Sequence, residues 1–336
     1  MEPRERARLL HIPAESAWAD LLVADLPGLL RAGDCLVLND SWVTPAALEG
    51  VRAAREGDGE GVAVHVNLLE RCSPGSWRAM ARPGKRLRPG DCIAFAADLS
   101  ACVQEKDGAE LLLEFSQAGA GLDAALERIG QAPLPPYILA QRPADQRDRQ
   151  DYQTAYADRA APALSVAAPT AGLHLTPALL ARLEAAGVRL ARITLGVGAG
   201  TFLPVPEEDL ANHVLHAERF AVSEAACAII NTARAGGGRV IAAGTTSLRA
   251  LESCSWGAQG VEPASGETRL FLRPGHAFRS ADGLLTNFHL PRSTLFMLVC
   301  AFAGVARMQA AYAHALASGY RFYSYGDASL LWRAVT

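Results

Sequence analysis

Residues 166–176, VAAPTAGLHLT, join a short β-prone run to a helix and carry a histidine between them. Gly172 allows the chain to turn sharply or to approach a ligand closely, and His174 follows it. Thr176 is a good N-cap residue, and Pro177 suits the first helical position because no N–H is needed there. The stretch therefore predicts a polar loop that leads directly into a helix.

The residues after this stretch predict a helix and then a strand. Leu179, Leu180 and Leu183 give the helix an apolar face, Gly187 ends it, and the run VRLARITLGV (188–197) follows. Because strand, helix and strand follow one another, we expect the two strands to be parallel neighbours joined by a right-handed crossover. Open α/β sheets bind ligands at the carboxyl ends of their strands, so both polar loops are expected at that edge.

The rest of the chain predicts more α/β structure and a smaller β domain. Residues 1–48 predict a strand (ARLLHI), a helix (WADLLVADLPGLL) and a strand (CLVLND). Between 50 and 130, short alternating runs are separated by turn signals, which is typical of a small antiparallel barrel or sandwich. From 161 onward the α/β pattern repeats, and RFYSYG (321–326) predicts a last strand before Asp327.

The composition limits the classes of partner. The 336-residue chain has a formal net charge of −3, so any RNA binding must come from local basic patches. Seven cysteines without a C-x-x-C pair argue against a disulfide framework and a zinc site, and predict reduced thiols in a cytoplasmic protein. The polar N-terminus predicts no signal peptide. The apolar run Leu295–Ala306 is too short to span a bilayer, so we expect no membrane partner.

Motifs spread over almost the whole chain resemble one enzyme family. They are, in order, LVLND, IGQAPLPPYI, DYQTAYA, APTAGLHLT, GVGAGTFLPV, NHVLHAERF, AAGTTSLRALES, LLTNFHLPRSTL and RFYSYGDA. Together they are similar to the S-adenosylmethionine:tRNA ribosyltransferase-isomerases of queuosine biosynthesis. Agreement over so many motifs is far more specific than any single glycine pattern.

This resemblance implies an α/β fold: a large mixed-sheet α/β domain with a small antiparallel β-barrel-like domain inserted. Residues 1–48 and 131–336 would form the large domain, and residues 49–130 the inserted one. The implied reaction moves the ribosyl part of S-adenosylmethionine to the aminomethyl-deazaguanine (preQ1) wobble base of tRNA. There it rearranges to an epoxycyclopentanediol, and adenine and methionine leave. S-adenosylmethionine is then a consumed co-substrate, no metal or nicotinamide cofactor is expected, and the protein is expected to be a monomer.

The chain also departs from the family pattern at several positions. Ser41-Trp42 stands where Thr-Arg is usual, Ala47 where a second Arg is expected, Gly196 where His is frequent, and Ala217 where Ser is usual. The family also has about one more strand before the position of Met1. A diverged, catalytically altered paralogue that binds RNA or nucleoside is therefore an alternative hypothesis.

The chemistry needs a base for the C5′ proton, a donor for departing adenine, and shielding from water. A neutral histidine suits proton transfer near pH 7, and the catalytic candidates are His174, His289 and His216. His213 and His216 precede Glu218, but no third His or Cys falls in a standard spacing, so no metal site is expected.

Gly196-x-Gly198-x-Gly200 permits a further alternative, the nucleotide loop of a methyltransferase, with Glu218 on a ribose hydroxyl. Such a loop opens a helix, whereas Pro204 and Pro206 oppose one here. A tight turn lining a pocket is the favoured interpretation.

The remaining candidates are polar or glycine positions in the loops. The substrate-binding set is Thr170, Gly172, Gly198, Gly200, Thr201, Glu218, Gly244, Thr245, Thr246, Arg249, Asn287, Arg292 and Asp327. Some have structural alternatives: residues 244–246 could only cap a helix, Arg249 could pair with Glu252, and Asp327 could only close a turn. Arg82, Lys85, Arg86 and Arg88 are candidates for tRNA phosphate contacts, the alternative being a solvated basic turn.

Overall fold

The computed structural model describes residues 4–55, 60–139, 142–161, 164–198, 215–291 and 293–334, and the chain divides into two compact units. The larger, here the α/β unit, comprises Met1–Trp42, Gln153–Leu164 and Ala168–Thr336. The smaller, here the barrel unit, comprises Val43–Tyr152 and Ser165–Ala167. The domain boundaries expected from the sequence, after residues 48 and 130, stay a prediction.

A nine-stranded mixed sheet forms the centre of the α/β unit. Across the sheet the strands are β17 (Ala264–Thr268), β13 (Glu218–Val222), β12 (Arg189–Leu195), β3 (Cys35–Asn39), β14 (Val240–Ala243), β18 (Gly283–Asn287), β19 (Ala328–Trp332), β1 (Arg8–Ile12) and β2 (Ala19–Leu22). The run β12-β3-β14-β18 is parallel, and β19 is antiparallel to β18. Strands β3 and β14 are buried throughout, which is typical of parallel strands covered on both faces.

Helices cover both faces of this sheet. The described helices of the unit are α1 (Leu26–Leu29), α5 (Pro177–Ala185), α6 (Glu224–Ala235), α7 (Thr245–Glu252), α8 (Thr294–Ala303) and α9 (Val305–Ala317). Leu179 of α5 shares one core with Leu36 of β3, whereas α8 and α9 share another with Ala242 and Leu284. Within the described ranges no single helix is long and apolar enough to cross a membrane. Helices α8 and α9 have the necessary length and composition only when taken together, and the two are bent by 116° relative to each other.

The barrel unit contains a closed barrel of antiparallel strands, and the mixed-sheet-plus-barrel fold class is confirmed. Around the barrel the strands are β10 (Glu110–Phe115), β7 (Ser76–Arg82), β6 (Val62–Arg71), β5 (Ala47–Arg52), β8 (Cys92–Ala96) and β9 (Leu99–Asp107). Burial alternates along β6, as expected when one face of a strand lines the barrel interior. Three helices follow: α2 (Gly119–Ile129), α3 (Pro136–Leu139) and α4 (Asp148–Asp151).

The prediction that the strand before residues 166–176 and the strand after the following helix are parallel neighbours is wrong. The strand before this stretch, β11 (Leu164–Ser165), is only two residues long and pairs with β4 (Trp42–Val43). The parallel neighbour of β12 is β3, which comes much earlier in the chain. A further two-stranded sheet joins β15 (Trp256–Gly257) to β16 (Gly260–Val261).

Two other sequence-based elements need correction. The predicted N-terminal helix is mostly absent, because Ala19–Leu22 forms an edge strand paired with β1. The predicted strand RFYSYG is a turn, in which Tyr323 has a φ of 74°, and the strand begins only at Ala328.

The prediction that all cysteines are reduced is also wrong. Cys92 and Cys102 form a disulfide in the barrel unit. They lie directly opposite each other on adjacent strands β8 and β9, a proximity that their spacing in the sequence does not reveal. The other cysteines are free.

Candidate active site

The ends of three parallel strands lie side by side at one edge of the α/β sheet, here called the carboxyl edge. β3 ends at Asn39, β14 at Ala243 and β18 at Asn287. The register pairs Ala243 with Leu38 on one side and with Leu285 on the other. Because the strand ends are in register, the residues that directly follow them lie at similar positions along the strand direction, next to one another at the carboxyl edge.

A short 3-10 helix, Thr170–His174, packs on β18 and completes a hydrogen-bond network around Asn287. Thr170 Oγ1 donates to Asn287 Oδ1 at 3.1 Å, and Asn287 Nδ2 donates to the carbonyl of Tyr323 at 3.2 Å. The same Nδ2 atom lies 3.2 Å from His174 Nε2. The network brings together three of the predicted site residues, Thr170, His174 and Asn287.

This network fixes the state of the His174 ring. The carbonyl of Tyr323 can only accept, so the NH₂ group of Asn287 must face it, and the same group donates to His174 Nε2. Burial lowers the pKa of His174 to about 4, although the nearby Asp327 charge opposes this. His174 is therefore neutral near pH 7, and its acceptor nitrogen is already engaged by Asn287.

His289 lies in a different position, two residues after β18. Its Nε2 is 2.9 Å from Thr286 Oγ1, and its backbone N–H donates to the hydroxyl of Tyr312 at 3.0 Å. The residue is partly exposed, yet burial among protein atoms disfavours the charged ring and lowers its pKa to about 4. His289 is thus a neutral imidazole with one nitrogen hydrogen-bonded inside the protein.

Gly172 permits a close approach, as the sequence predicted, but to a protein side chain. A Cβ atom on Gly172 would lie 2.0 Å from the Tyr156 hydroxyl and 2.9 Å from Thr154 Cγ2. Tyr156 and Thr154 are both buried, and in the part of the chain that the structure describes neither hydroxyl has a hydrogen-bond partner. Whether Gly172 also contacts substrate stays a prediction.

The amino terminus of α7 emerges at the carboxyl edge after Gly244. Gly244 has a φ of 94° and has no side chain that could cap the helix. The backbone N–H groups of the first turn therefore receive no hydrogen bond from a side chain at that position. Thr245 and Thr246 form this turn and are almost fully buried, and Thr246 Oγ1 has no hydrogen-bond partner within the described ranges. The arrangement suits an anionic or hydroxyl-bearing ligand.

Glu218 and Arg249 form a buried ion pair, with about 5% of each residue exposed. The second oxygen of Glu218 accepts from the backbone N–H of Gly198 at 3.3 Å, so this pair holds the start of the glycine loop. The alternative pairing of Arg249 with Glu252 is wrong, because Glu252 instead accepts hydrogen bonds from Ser280.

Asp327 is engaged within the protein at both oxygens. It accepts from the backbone N–H of Arg8 at 3.0 Å and from the backbone and guanidinium of Arg321 at 2.8 and 2.7 Å. Burial acts to raise the pKa of the Asp327 carboxyl, but these hydrogen bonds outweigh it and hold the pKa below its usual range. Asp327 therefore fixes the turn that precedes β19.

The other predicted residues lie apart or outside the described ranges. His216 is exposed just before β13. Gly200, Thr201 and Arg292 lie outside the described residues, as does His213. Among the residues that the structure describes, no group of three or more His, Cys, Asp or Glu side chains is arranged to hold a metal ion.

Asp40 is a further polar residue at this edge and was not among the predicted site residues. Asp40 follows β3 at the carboxyl edge, where its Oδ1 accepts from Thr194 Oγ1 at 2.7 Å. Burial and the nearby charge of Asp158 raise the pKa of this carboxyl, although the hydrogen bond from Thr194 acts to lower it. The available signal was a polar pair, Asn39-Asp40, at the end of a wholly apolar strand.

The four predicted RNA-binding side chains share one exposed loop of the barrel unit, here called the basic loop (Arg82–Arg88). Arg82, Lys85, Arg86 and Arg88 are all exposed and pair with no carboxylate among the described residues. The loop backbone is held by Lys106, whose Nζ donates to the carbonyls of Gly84 and Leu87 at 2.9 Å.

Comparisons with known proteins show which family this chain belongs to. A family model described as queuosine biosynthesis protein matches residues 1–331. The S-adenosylmethionine:tRNA ribosyltransferase-isomerase of Phenylobacterium zucineum is 55% identical over 342 residues, covering 99% of this chain and 94% of its own. That of a Methylobacterium species is 55% identical over 345 residues, with the same coverage. The crystal structure of an S-adenosylmethionine tRNA ribosyltransferase from Thermotoga maritima matches with a TM-score of 0.53 and 30% identity, covering 98% of this chain and 94% of that chain. This chain therefore belongs to the S-adenosylmethionine:tRNA ribosyltransferase-isomerase family of queuosine biosynthesis.

Proposed function

We propose that the chain transfers and isomerises the ribosyl group of S-adenosylmethionine onto the preQ1 wobble base of tRNA. Epoxyqueuosine-tRNA forms, and adenine and methionine leave. The observation that carries this proposal is the family match over nearly the whole chain. A cytoplasmic location follows from the tRNA substrate and stays a prediction, as does action as a monomer.

The departures from the family pattern leave this proposal standing. The guanidinium of Arg159 lies 4.3 Å from the centre of the Trp42 ring, so a positive charge stands next to the position where the usual arginine is missing. Ala47 is buried in β5, where it pairs with Asn67. High identity to ribosyltransferase-isomerases over the full length also favours an active enzyme over an altered paralogue.

His289 is our candidate for proton transfer. Its depressed pKa keeps the imidazole neutral near pH 7, and its ring is partly exposed at the end of β18. One nitrogen is engaged by Thr286, so the other is available to a substrate atom. A neutral imidazole can remove a proton made acidic by the adjacent sulfonium, or pass one to departing adenine.

His174 has a positioning role in this proposal. It contacts Asn287 through an acceptor nitrogen that a substrate proton could reach only by breaking that hydrogen bond. By orienting the Asn287 amide it also orients Thr170, so the three residues hold one another at the carboxyl edge. A rigid, preorganised site of this kind reduces the reorganisation needed in the transition state.

The basic loop is our candidate for the tRNA backbone. Its four exposed cations form a local positive patch on a chain whose formal net charge is −3, and such a patch can attract RNA phosphates. Phosphate contacts position the RNA, and recognition of the base is left to the carboxyl edge.

The proposal is tested by analysing the modified nucleoside. The purified protein is incubated with S-adenosylmethionine and tRNA that carries preQ1, and the tRNA is digested and examined by mass spectrometry. We expect the epoxyqueuosine nucleoside, and none from tRNA with guanine at the wobble position. An unchanged preQ1 nucleoside, with a close relative active under the same conditions, would contradict the proposal, and a methylated base would point to methyl transfer.

A further inference from the structure

The further inference rests on the proposed function and concerns Asp40. Its Oδ1 is engaged by Thr194, and its backbone carbonyl accepts from the N–H of Asp158 at 2.8 Å. Among the described residues, Thr194 is the one that donates a side-chain hydrogen bond to this carboxylate. The backbone N–H of Asp40 itself and the charge of Arg192 also lower the pKa of the carboxyl, and the residue is partly exposed. Glu218 and Asp327, by contrast, have both oxygens engaged by protein donors. Asp40 therefore keeps a carboxylate oxygen available to a ligand.

Two buried hydroxyls, of Tyr156 near this carboxylate and of Thr154 two residues earlier in the chain, lack partners among the described residues. Tyr156 is 4% exposed and Thr154 is 5% exposed, and neither hydroxyl makes a hydrogen bond to any residue that the structure describes. Burial raises the pKa of Tyr156, and the charge of Asp40 raises it further, so the phenol is a neutral donor close to that carboxylate. A buried hydroxyl left unpaired costs about 1–3 kcal/mol, so a ligand or water is expected to satisfy it.

The amino terminus of α7 stands at the end of the adjacent strand. β3 and β14 pair in parallel with Leu38 opposite Ala243, so Asp40 and Thr245 each lie two residues beyond this pair. Neighbouring strands are about 4.8 Å apart. Thr246, about nine-tenths buried, lies in the first turn of α7, and its Oγ1 has no hydrogen-bond partner among the residues described. A free carboxylate oxygen and a positively polarised helix terminus thus occupy neighbouring strand ends.

We propose that these two features bind the α-amino acid group of the methionine part of S-adenosylmethionine, with Asp40 taking the ammonium and the amino terminus of α7 taking the carboxylate. A zwitterion needs one group of each sign a few ångströms apart, and these neighbouring strand ends provide them. Gly244 lacks a side chain that would cover the terminus, and Tyr156 stands beside Asp40. The competing ligand for Asp40 is the aminomethyl group of the tRNA base.

The test compares two co-substrates in the presence of saturating preQ1-tRNA. One is S-adenosylmethionine, and the other is its analogue with hydrogen in place of the α-amino group. For the wild-type protein we expect kcat/KM to favour the natural co-substrate by at least ~30-fold, as for a charged pair that loses one partner. For Asp40→Asn the preference should fall to about threefold or less. Asp282→Asn, which removes an equal charge from the opposite edge of the sheet, should keep the wild-type preference.

The same ratio can be measured without turnover, by calorimetric binding of the two compounds to the tRNA-bound protein. Asp40→Asn is expected to have an unchanged or higher Tm, because burial disfavours the charge that it removes. A full wild-type preference in Asp40→Asn overturns the proposal, as does a variant in which only the KM for tRNA rises. Wild-type turnover tests the proposed function separately, so the two can fail independently.

Discussion

At the scale of the residue, His289 is the side chain to which we assign proton transfer. Replacing it with alanine should lower kcat by about 10²-fold or more, the usual contribution of a positioned acid or base. Folding should be retained, because the substitution removes only one side-chain hydrogen bond, that between His289 Nε2 and Thr286 Oγ1. The matched control is His314→Ala, which removes a histidine from the surface of α9 and should leave kcat unchanged. Wild-type kcat in His289→Ala would remove His289 from the mechanism.

The two histidines with lowered pKa values should also make stability depend on pH. Burial lowers the pKa of His174 and of His289 to about 4, whereas both titrate near 6.5 in the unfolded chain. As the pH falls below 6.5, the unfolded chain binds protons that the folded chain does not, so the free energy of unfolding decreases. At pH 5 the loss is on the order of 2 kcal/mol for each histidine, and it vanishes above about pH 7.5.

Urea denaturation at pH 7.5 and pH 5 measures this dependence. The free energy of unfolding at pH 7.5 exceeds that at pH 5, and in His174→Gln this excess should be smaller by roughly the contribution of one histidine. The expectation holds whatever the variant does to stability at pH 7.5. An unchanged difference would mean that His174 titrates normally in the folded protein.

Gly172 is required by the close approach of Tyr156. In Gly172→Ala the new methyl group would meet the buried Tyr156 hydroxyl and Thr154, so we expect a loss of about 1–3 kcal/mol from overpacking. Adding Tyr156→Phe removes the nearest atom and should restore part of that loss. Urea unfolding of the two single variants and the double variant measures this coupling, and strict additivity would contradict the proposed contact.

At this scale the sequence predicted local features better than distant partners. Thr176 caps α5 as expected, because an N-cap depends only on residues within one turn, and Ser293 caps α8 in the same way. The partners of Arg249 and Asp327 were not predictable, since Glu218 and Arg8 lie far away in the chain. Asp40 was overlooked for the same reason: its neighbour Thr194 belongs to a distant strand.

At the scale of the element, the basic loop should control the affinity for tRNA. Replacing Arg82, Lys85, Arg86 and Arg88 together with glutamine should raise the KM for tRNA and leave the KM for S-adenosylmethionine unchanged. If all four contact phosphates, the slope of log affinity against log salt should become shallower by about three.

Filter binding of tRNA over a range of salt concentrations measures this slope. The control replaces Arg71 and Arg128, which are also on the barrel unit but pair with Asp123 and Asp98. An unchanged salt slope in the fourfold variant would favour a solvated turn over an RNA contact.

Elements with strong local signals were predicted well, and those set by pairing were not. The strand–glycine–helix sequence of β14, Gly244 and α7 is as expected, because an apolar run, a glycine and a helix-forming segment follow one another. Ala19–Leu22 looked helical but forms β2, since β1 offers an open edge to pair with. The disulfide between Cys92 and Cys102 likewise depends on the register of two strands.

At the scale of the whole molecule, alternation of strand and helix signals predicted the α/β class, and closely spaced turns predicted the barrel. The strand order was not predictable in this way. The long segment that separates β3 from β12 includes the whole barrel, and nothing local indicates that these strands are neighbours. The sequence consequently predicted an edge rich in site residues but not the neighbouring ends of β3 and β14.

The small molecules that are released show most directly whether this chain uses S-adenosylmethionine as a ribosyl donor. The purified protein is mixed with S-adenosylmethionine and preQ1-tRNA, and the soluble products are separated by chromatography. We predict adenine and methionine in equal amounts, formed only when the preQ1-tRNA is present. Release of S-adenosylhomocysteine instead, or of neither product while a close relative is active beside it, would contradict the account.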